Sequence, residues 1–167
     1  ASDESGINIA LFGEADETKK GISLFTGSKP YDGKVLSPES ADYTSRDNLF
    51  ALQAELIKKL ADKESCIIIG RCADFVLKDR DDVLRLFFYA PMEDCLLRAK
   101  DVSGEPEKEL QKKIHRIDKY RAAYHKYYTG REWNDTRNYD FCLNTASMSY
   151  EKLIEVVKSY MEISGKL

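Results

Sequence analysis

Cys66-Ile67-Ile68-Ile69-Gly70-Arg71-Cys72-Ala73-Asp74 is the stretch on which the fold turns. An uninterrupted apolar run, β-branched after Cys66, stops abruptly at Gly70-Arg71. Such a run predicts a short strand covered on both faces, as in a parallel sheet. Glycine lets the backbone turn sharply, and arginine presents a planar fork of donors suited to phosphate. Ligands of open parallel sheets bind beyond the carboxyl ends of the strands. Position therefore marks Arg71 as a candidate phosphate ligand and Asp74 as an acceptor for a sugar hydroxyl or an amine. The plainer alternative is an exposed arginine at a strand end beside a capping aspartate. Residues 72–78 should form a short helix.

Working outward, residues 83–90 read as a second covered strand. Pro91 is placed to open a helix running to Lys100, with Leu96, Leu97 and Ala99 on its apolar side. Residues 101–106, with Gly104, form a hinge-like break. A long amphipathic helix follows over 107–128, then a polar loop over 129–138, a third strand over 139–144 and a closing helix over 150–161. Upstream, Ser45 or Asp47 can cap a helix in which Leu49, Leu52, Leu56 and Leu60 form one stripe. Residues 1–45 read mostly as loop, with a short helix near 7–18 and a turn over 28–33. Helices alternating with covered strands give the α/β class with a parallel sheet. Three strands are few for such a sheet, and an unpaired central edge is one that natural proteins normally cover. The expectation is a further strand ahead of Ala1, so that residues 1–167 form most of a single domain of about 200 residues.

The 167 residues are 43% hydrophobic and 33% charged, which excludes a disordered chain. A net charge of −3 gives no overall basic footprint for a nucleic acid polymer. No apolar run approaches the roughly 18 residues of a membrane span. The balance hides an asymmetry: residues 1–65 hold twelve acidic and eight basic side chains, whereas 98–137 hold eleven basic and seven acidic. That basic stretch is either a solvated helix or an anion-binding half facing a nucleotide. Cys66, Cys72, Cys95 and Cys142 form no C-x-x-C pair and no disulfide scaffold, which points to reduced thiols in the cytoplasm. His115 and His125 lie ten residues apart with no thiol at ligand spacing, so no metal site is expected.

On the long helix, Asp118 and Arg121 are three residues apart and share a face. They form either a surface ion pair or an aspartate that fixes an arginine against a phosphate. Arg116 precedes them, and Arg131 and Arg137 add positive charge in the loop that carries Trp133. Tyr120, Tyr124, Tyr127 and Tyr128 crowd the same helix, a pattern more often of packing than of base binding. Phosphoryl transfer accounts for this inventory, because it asks for positioning and charge neutralisation more than for a nucleophile. No serine or cysteine has an activating partner in the pattern, and no carboxylate pair has glycosidase spacing.

The segment Cys66–Asp74 resembles the GR-x-A/D segment that follows a strand in the cytidylate kinase-like family. Ile114-His115-Arg116-Ile117-Asp118-Lys119-Tyr120-Arg121-Ala122-Ala123-Tyr124-His125 resembles that family's D-x-x-R helix. Tyr128-Thr129-Gly130, Trp133, Asn138-Tyr139-Asp140 and Cys142-Leu143-Asn144-Thr145 continue the likeness, which extends over residues 49–161. The resemblance implies a three-layer parallel sheet of P-loop nucleotide kinase type, with a lid-like segment over about 101–116. It implies ATP-dependent phosphoryl transfer to a nucleoside monophosphate, CMP or dCMP above others, with Mg²⁺ arriving on ATP. By match, Arg71 binds the acceptor phosphate, Asp74 lies beside it, and Arg98 falls near the lid. Asp118 and Arg121 correspond to the Asp and Arg of the helix after the lid, with Arg116 close to another family arginine.

The family's phosphate loop, G-x-x-x-x-G-K-[ST], does not occur in residues 1–167. Gly27-Ser28-Lys29 lacks both the upstream strand and the spacing. The expectation is an enzyme whose loop lies ahead of Ala1, with residues 1–167 alone inactive in ATP-dependent transfer. The alternatives are a non-catalytic nucleotide-binding module and a kinase of another small molecule.

Overall fold

A serine with extended backbone ahead of a helix-forming run fixes the first element. In the computed structural model, which describes residues 27–166, the Ser45 side chain accepts a hydrogen bond from the Asn48 amide and opens α1 (Arg46–Lys63). Then come α2 (Ala73–Val76), β1 (Leu86–Tyr89), α3 (Met92–Val102), α4 (Glu107–Thr129), a 3₁₀ turn (Thr136–Asn138), β2 (Phe141–Asn144) and α5 (Tyr150–Ile163). The chain divides into two compact units, one reaching Lys78 and including Ala123–Glu132, the other Asp79–Ala122 with the chain from Trp133 onward. The helix expected near residues 7–18 lies outside the described residues.

In the first unit α1 buries Leu49, Phe50, Ala51, Ala54 and Ile57, while Leu52, Leu56 and Leu60 of the expected stripe are only half-buried. Aromatic packing sets the face. Phe50 stacks on Tyr128 with ring centroids 3.9 Å apart and meets Tyr124 edge-on at 6.0 Å. These tyrosines pack, as the sequence suggests.

Residues 28–31 form a strap rather than the expected turn. The Lys29 and Tyr31 amides donate to the carbonyls of Tyr127 and Tyr128 at 2.8 and 2.9 Å. Helix ends leave such carbonyls without intrahelical donors, and the strap satisfies two of them. Gly130, with φ +72°, closes the helix through its amide to the Lys126 carbonyl. Asn48 fixes the chain between strap and α1, accepting from the Leu36 amide and donating to the Tyr43 carbonyl, both at 2.7 Å.

The expected strand over 66–69 is not formed. The segment takes no regular secondary structure: Ile67 is 94% and Ile69 88% exposed, and it has no ladder partner among the described residues. β-branched residues favour extended backbone, yet a strand exists only when a neighbour takes its amides and carbonyls. The apolar run encodes the first property and not the second.

The second unit holds a parallel pair, β1 against β2, in register from Leu86↔Phe141 to Tyr89↔Asn144. Both strands are shorter than the expected 83–90 and 139–144, and Phe88 and Tyr89 are half-exposed rather than covered. The described residues thus show a mixed α/β chain with a small parallel sheet. The pair is buttressed at its start. Arg85 clamps Asp140 through Nε and Nη2 at 2.9 and 2.8 Å, and its amide donates to the same carboxylate at 2.8 Å. Phe141 stacks on Tyr160 at 4.6 Å, and Phe87 packs between Tyr139 at 4.9 Å and the edge of Trp133 at 5.4 Å. On α3, Leu96 is buried but its neighbour Leu97 is 62% exposed. Among the described residues no helix is long and apolar enough to cross a membrane.

Candidate functional site

Three consecutive left-handed residues connect the 66–69 segment to α2. Gly70, Arg71 and Cys72 have φ of 70°, 56° and 54°. Glycine adopts this conformation freely, whereas each non-glycine residue there costs on the order of 1–3 kcal/mol and persists only when its surroundings hold it. Burial of Cys72 and Ala73 and the Ala73 amide bond to the Gly70 carbonyl, 3.1 Å, anchor the turn from one side. Arg71 stands at its exposed apex. Burial pushes the Cys72 thiol well above its ordinary range, with the nearby Asp74 charge adding to the shift. Cys72 is therefore a protonated packing residue and no nucleophile.

Behind the turn lies a cluster that sequence reasoning missed. His125, on the last turns of α4, has a side chain only 4% exposed, and its Nε2 is 2.9 Å from Asp74 Oδ2. Its Nδ1 is 3.2 Å from the Arg131 carbonyl and 3.2 Å from Thr129 Oγ1. The Thr129 hydroxyl donates to the His125 carbonyl at 2.7 Å and accepts from the Arg131 amide at 3.0 Å. The Arg131 guanidinium lies over the Phe75 ring, 5.2 Å from its centroid. Only the i, i+4 spacing of His125 and Thr129 was visible in the sequence; Asp74 is 51 positions away.

Of the residues singled out from sequence, Arg71, Asp74 and Arg131 fall in the first unit, and Arg98, Arg116, Asp118, Arg121 and Arg137 in the second. Arg121 Nη1 donates to Asp118 Oδ1 at 3.2 Å on an open face, the two side chains 59% and 47% exposed. Arg116 is exposed one turn earlier. Arg98 Nη1 donates to Thr145 Oγ1 at 2.9 Å, its Nη2 donates to the Thr145 carbonyl, and its guanidinium lies 5.6 Å from the centre of the Tyr150 ring. Arg137 grips Asp135 through Nε at 2.9 Å and Nη2 at 2.7 Å, drawing that carboxyl down to about 2. Among the described residues no group of three His, Cys, Asp or Glu side chains could hold a metal ion.

The turn in the first unit and the D-x-x-R face in the second each present exposed guanidinium groups, the chemistry that pairs with phosphate. Residues 1–147 match the model of the Cytidylate kinase-like family. The chain belongs to that family. A chain of similar structure is seen in the crystal structure of an uncharacterized protein from Eubacterium ventriosum ATCC 27560, with TM-score 0.66 and 27% identity over 71% of this chain and 74% of that one. No curated protein matches.

Proposed function

We propose that the full-length protein is a cytoplasmic nucleotide kinase of P-loop type that transfers the γ-phosphoryl group of ATP to a nucleoside monophosphate, CMP or dCMP by preference. The observation that carries this reading is the left-handed Gly70–Arg71–Cys72 turn, which presents an arginine on held backbone in a chain of this family. Arg71 takes the acceptor phosphate. Asp74 offers a sugar hydroxyl or base amine the carboxylate oxygen that His125 does not engage, and Arg98 supports the acceptor side. Asp118 orients Arg121, which with Arg116 neutralises the migrating group. The segment over about 101–116 closes over the nucleotides as a lid.

ATP enters as substrate with its Mg²⁺. Residues 1–167 contain no G-x-x-x-x-G-K-[ST], so they do not fit the triphosphate as a P-loop does; Arg131 and Arg137 are the basic residues offered to the donor. The same gap favours, as a second reading, a nucleotide-binding module without transfer activity. The two are separated by incubating full-length protein with ATP, Mg²⁺ and each of CMP, dCMP and UMP. ADP formation that depends on the monophosphate, fastest with CMP or dCMP, is expected; tight CMP binding with no ADP would support the module.

A further inference from the structure

The hydrogen-bond inventory around His125 points to a role that neither the family match nor the candidate roles above assign. The Thr129 hydroxyl has one hydrogen, and that hydrogen is committed to the His125 carbonyl at 2.7 Å. Toward Nδ1 it therefore shows a lone pair, as does the Arg131 carbonyl oxygen. Asp74 Oδ2 likewise presents lone pairs to Nε2. A carboxylate offers Nε2 only acceptor oxygens, so the bond to Asp74 is made by an Nε2–H.

We propose that His125 is the positioning residue of the Arg71 turn: through an Nε2–H donated to Asp74, it ties that carboxylate to the end of α4 and so holds residues 70–72 left-handed. Asp74 lies in the first turn of α2, two residues after the left-handed pair. The buried Cys72–Ala73 step and the Phe75 and Val76 amides on the Cys72 carbonyl, both at 2.9 Å, hold the turn to α2. The His125–Asp74 bond holds α2 in turn to α4. All of these residues belong to one compact unit. The proposal rests on the reading of Arg71 as acceptor ligand, and it acts through Arg71 rather than on substrate.

The test uses the full-length protein in four forms: wild type, Arg71→Ala, His125→Leu and the double variant, with His125→Gln as the conservative control that keeps a donor toward Asp74. His125→Leu should raise the acceptor KM about tenfold with kcat little changed, His125→Gln should recover most of that, and in the Arg71→Ala background His125→Leu should add only the smaller effect of the loosened Asp74. At the same time, ¹⁵N spectra of the wild-type ring should show a protonated Nε2, and amides 73–77 should exchange faster in His125→Leu. Effects that multiply in the double variant, or an unchanged KM in His125→Leu where Arg71→Ala raises it, would overturn the proposal. Should Arg71→Ala leave KM unchanged, the acceptor reading is what fails. The latch is then judged by the ring and the amides: a protonated Nε2 with faster exchange upholds it, and a bare Nε2 or unchanged exchange overturns it.

Discussion

Arg98 illustrates how one residue can be found for one reason and held by another. Its position on the helix after Ala90-Pro91 drew attention in the sequence, and the folded chain spends its donors on the Thr145 hydroxyl and carbonyl beyond β2. A charge-assisted bond of this kind contributes about 1.5–3 kcal/mol. Arg98→Ala should lower the unfolding free energy by about that amount, measured by urea titration. Arg121 is the opposite case. Its exposed pair with Asp118 is worth about 0.3–0.5 kcal/mol to the helix, so Arg121→Ala should leave the urea midpoint almost unmoved. Any large effect of that change will be on turnover. Residue types and their local spacing were legible here; partners remote in sequence, His125 for Asp74 and Thr145 for Arg98, were not, because nothing local encodes them.

At the scale of elements, the helices and two of the three expected strands were readable, and the strand at 66–69 was not. The helix expected over 107–128 forms as α4 over Glu107–Thr129, and α5 closes the chain where its amphipathic pattern places it. Helical hydrogen bonds are local, so pattern and caps suffice. Strand pairing depends on distant chain, which is why the 66–69 run misled and the β1–β2 register could not be foreseen. That register is pinned by Arg85 and Asp140, and the guanidinium holds the Asp140 carboxyl below the usual carboxylate range. A lowered carboxyl pKa stabilises the fold fully above the unfolded value near 3.9 and loses that contribution as pH falls through the folded value. Asp140→Asn should therefore be less stable than wild type at pH 7, with the gap closing below about pH 4 in urea titrations. Gly130 is tested the same way: alanine at φ +72° should cost about 1 kcal/mol, since the backbone and not the space forbids it. For the lid-like segment, amide exchange over 101–106 should slow when nucleotide is added; exchange indifferent to nucleotide would remove it from the account.

For the whole molecule, family membership covers residues 1–147, and the similarity to the Eubacterium ventriosum structure extends over 71% of the chain. The family was readable because two local motifs, the Gly70-Arg71 turn and the Asp118–Arg121 helix, both survive as short-range patterns. The unequal charge along the chain gains meaning from the same place: the basic stretch over 98–137 carries most of the arginines offered to phosphate. The central claim is phosphoryl transfer, and labelled ATP tests it most directly. Full-length protein given [γ-³²P]ATP, Mg²⁺ and CMP should yield labelled CDP, and Arg121→Ala, folded to the same urea midpoint, should yield it about a hundredfold more slowly. Transfer at equal rates by both proteins, or no labelled diphosphate from any nucleoside monophosphate, would contradict it.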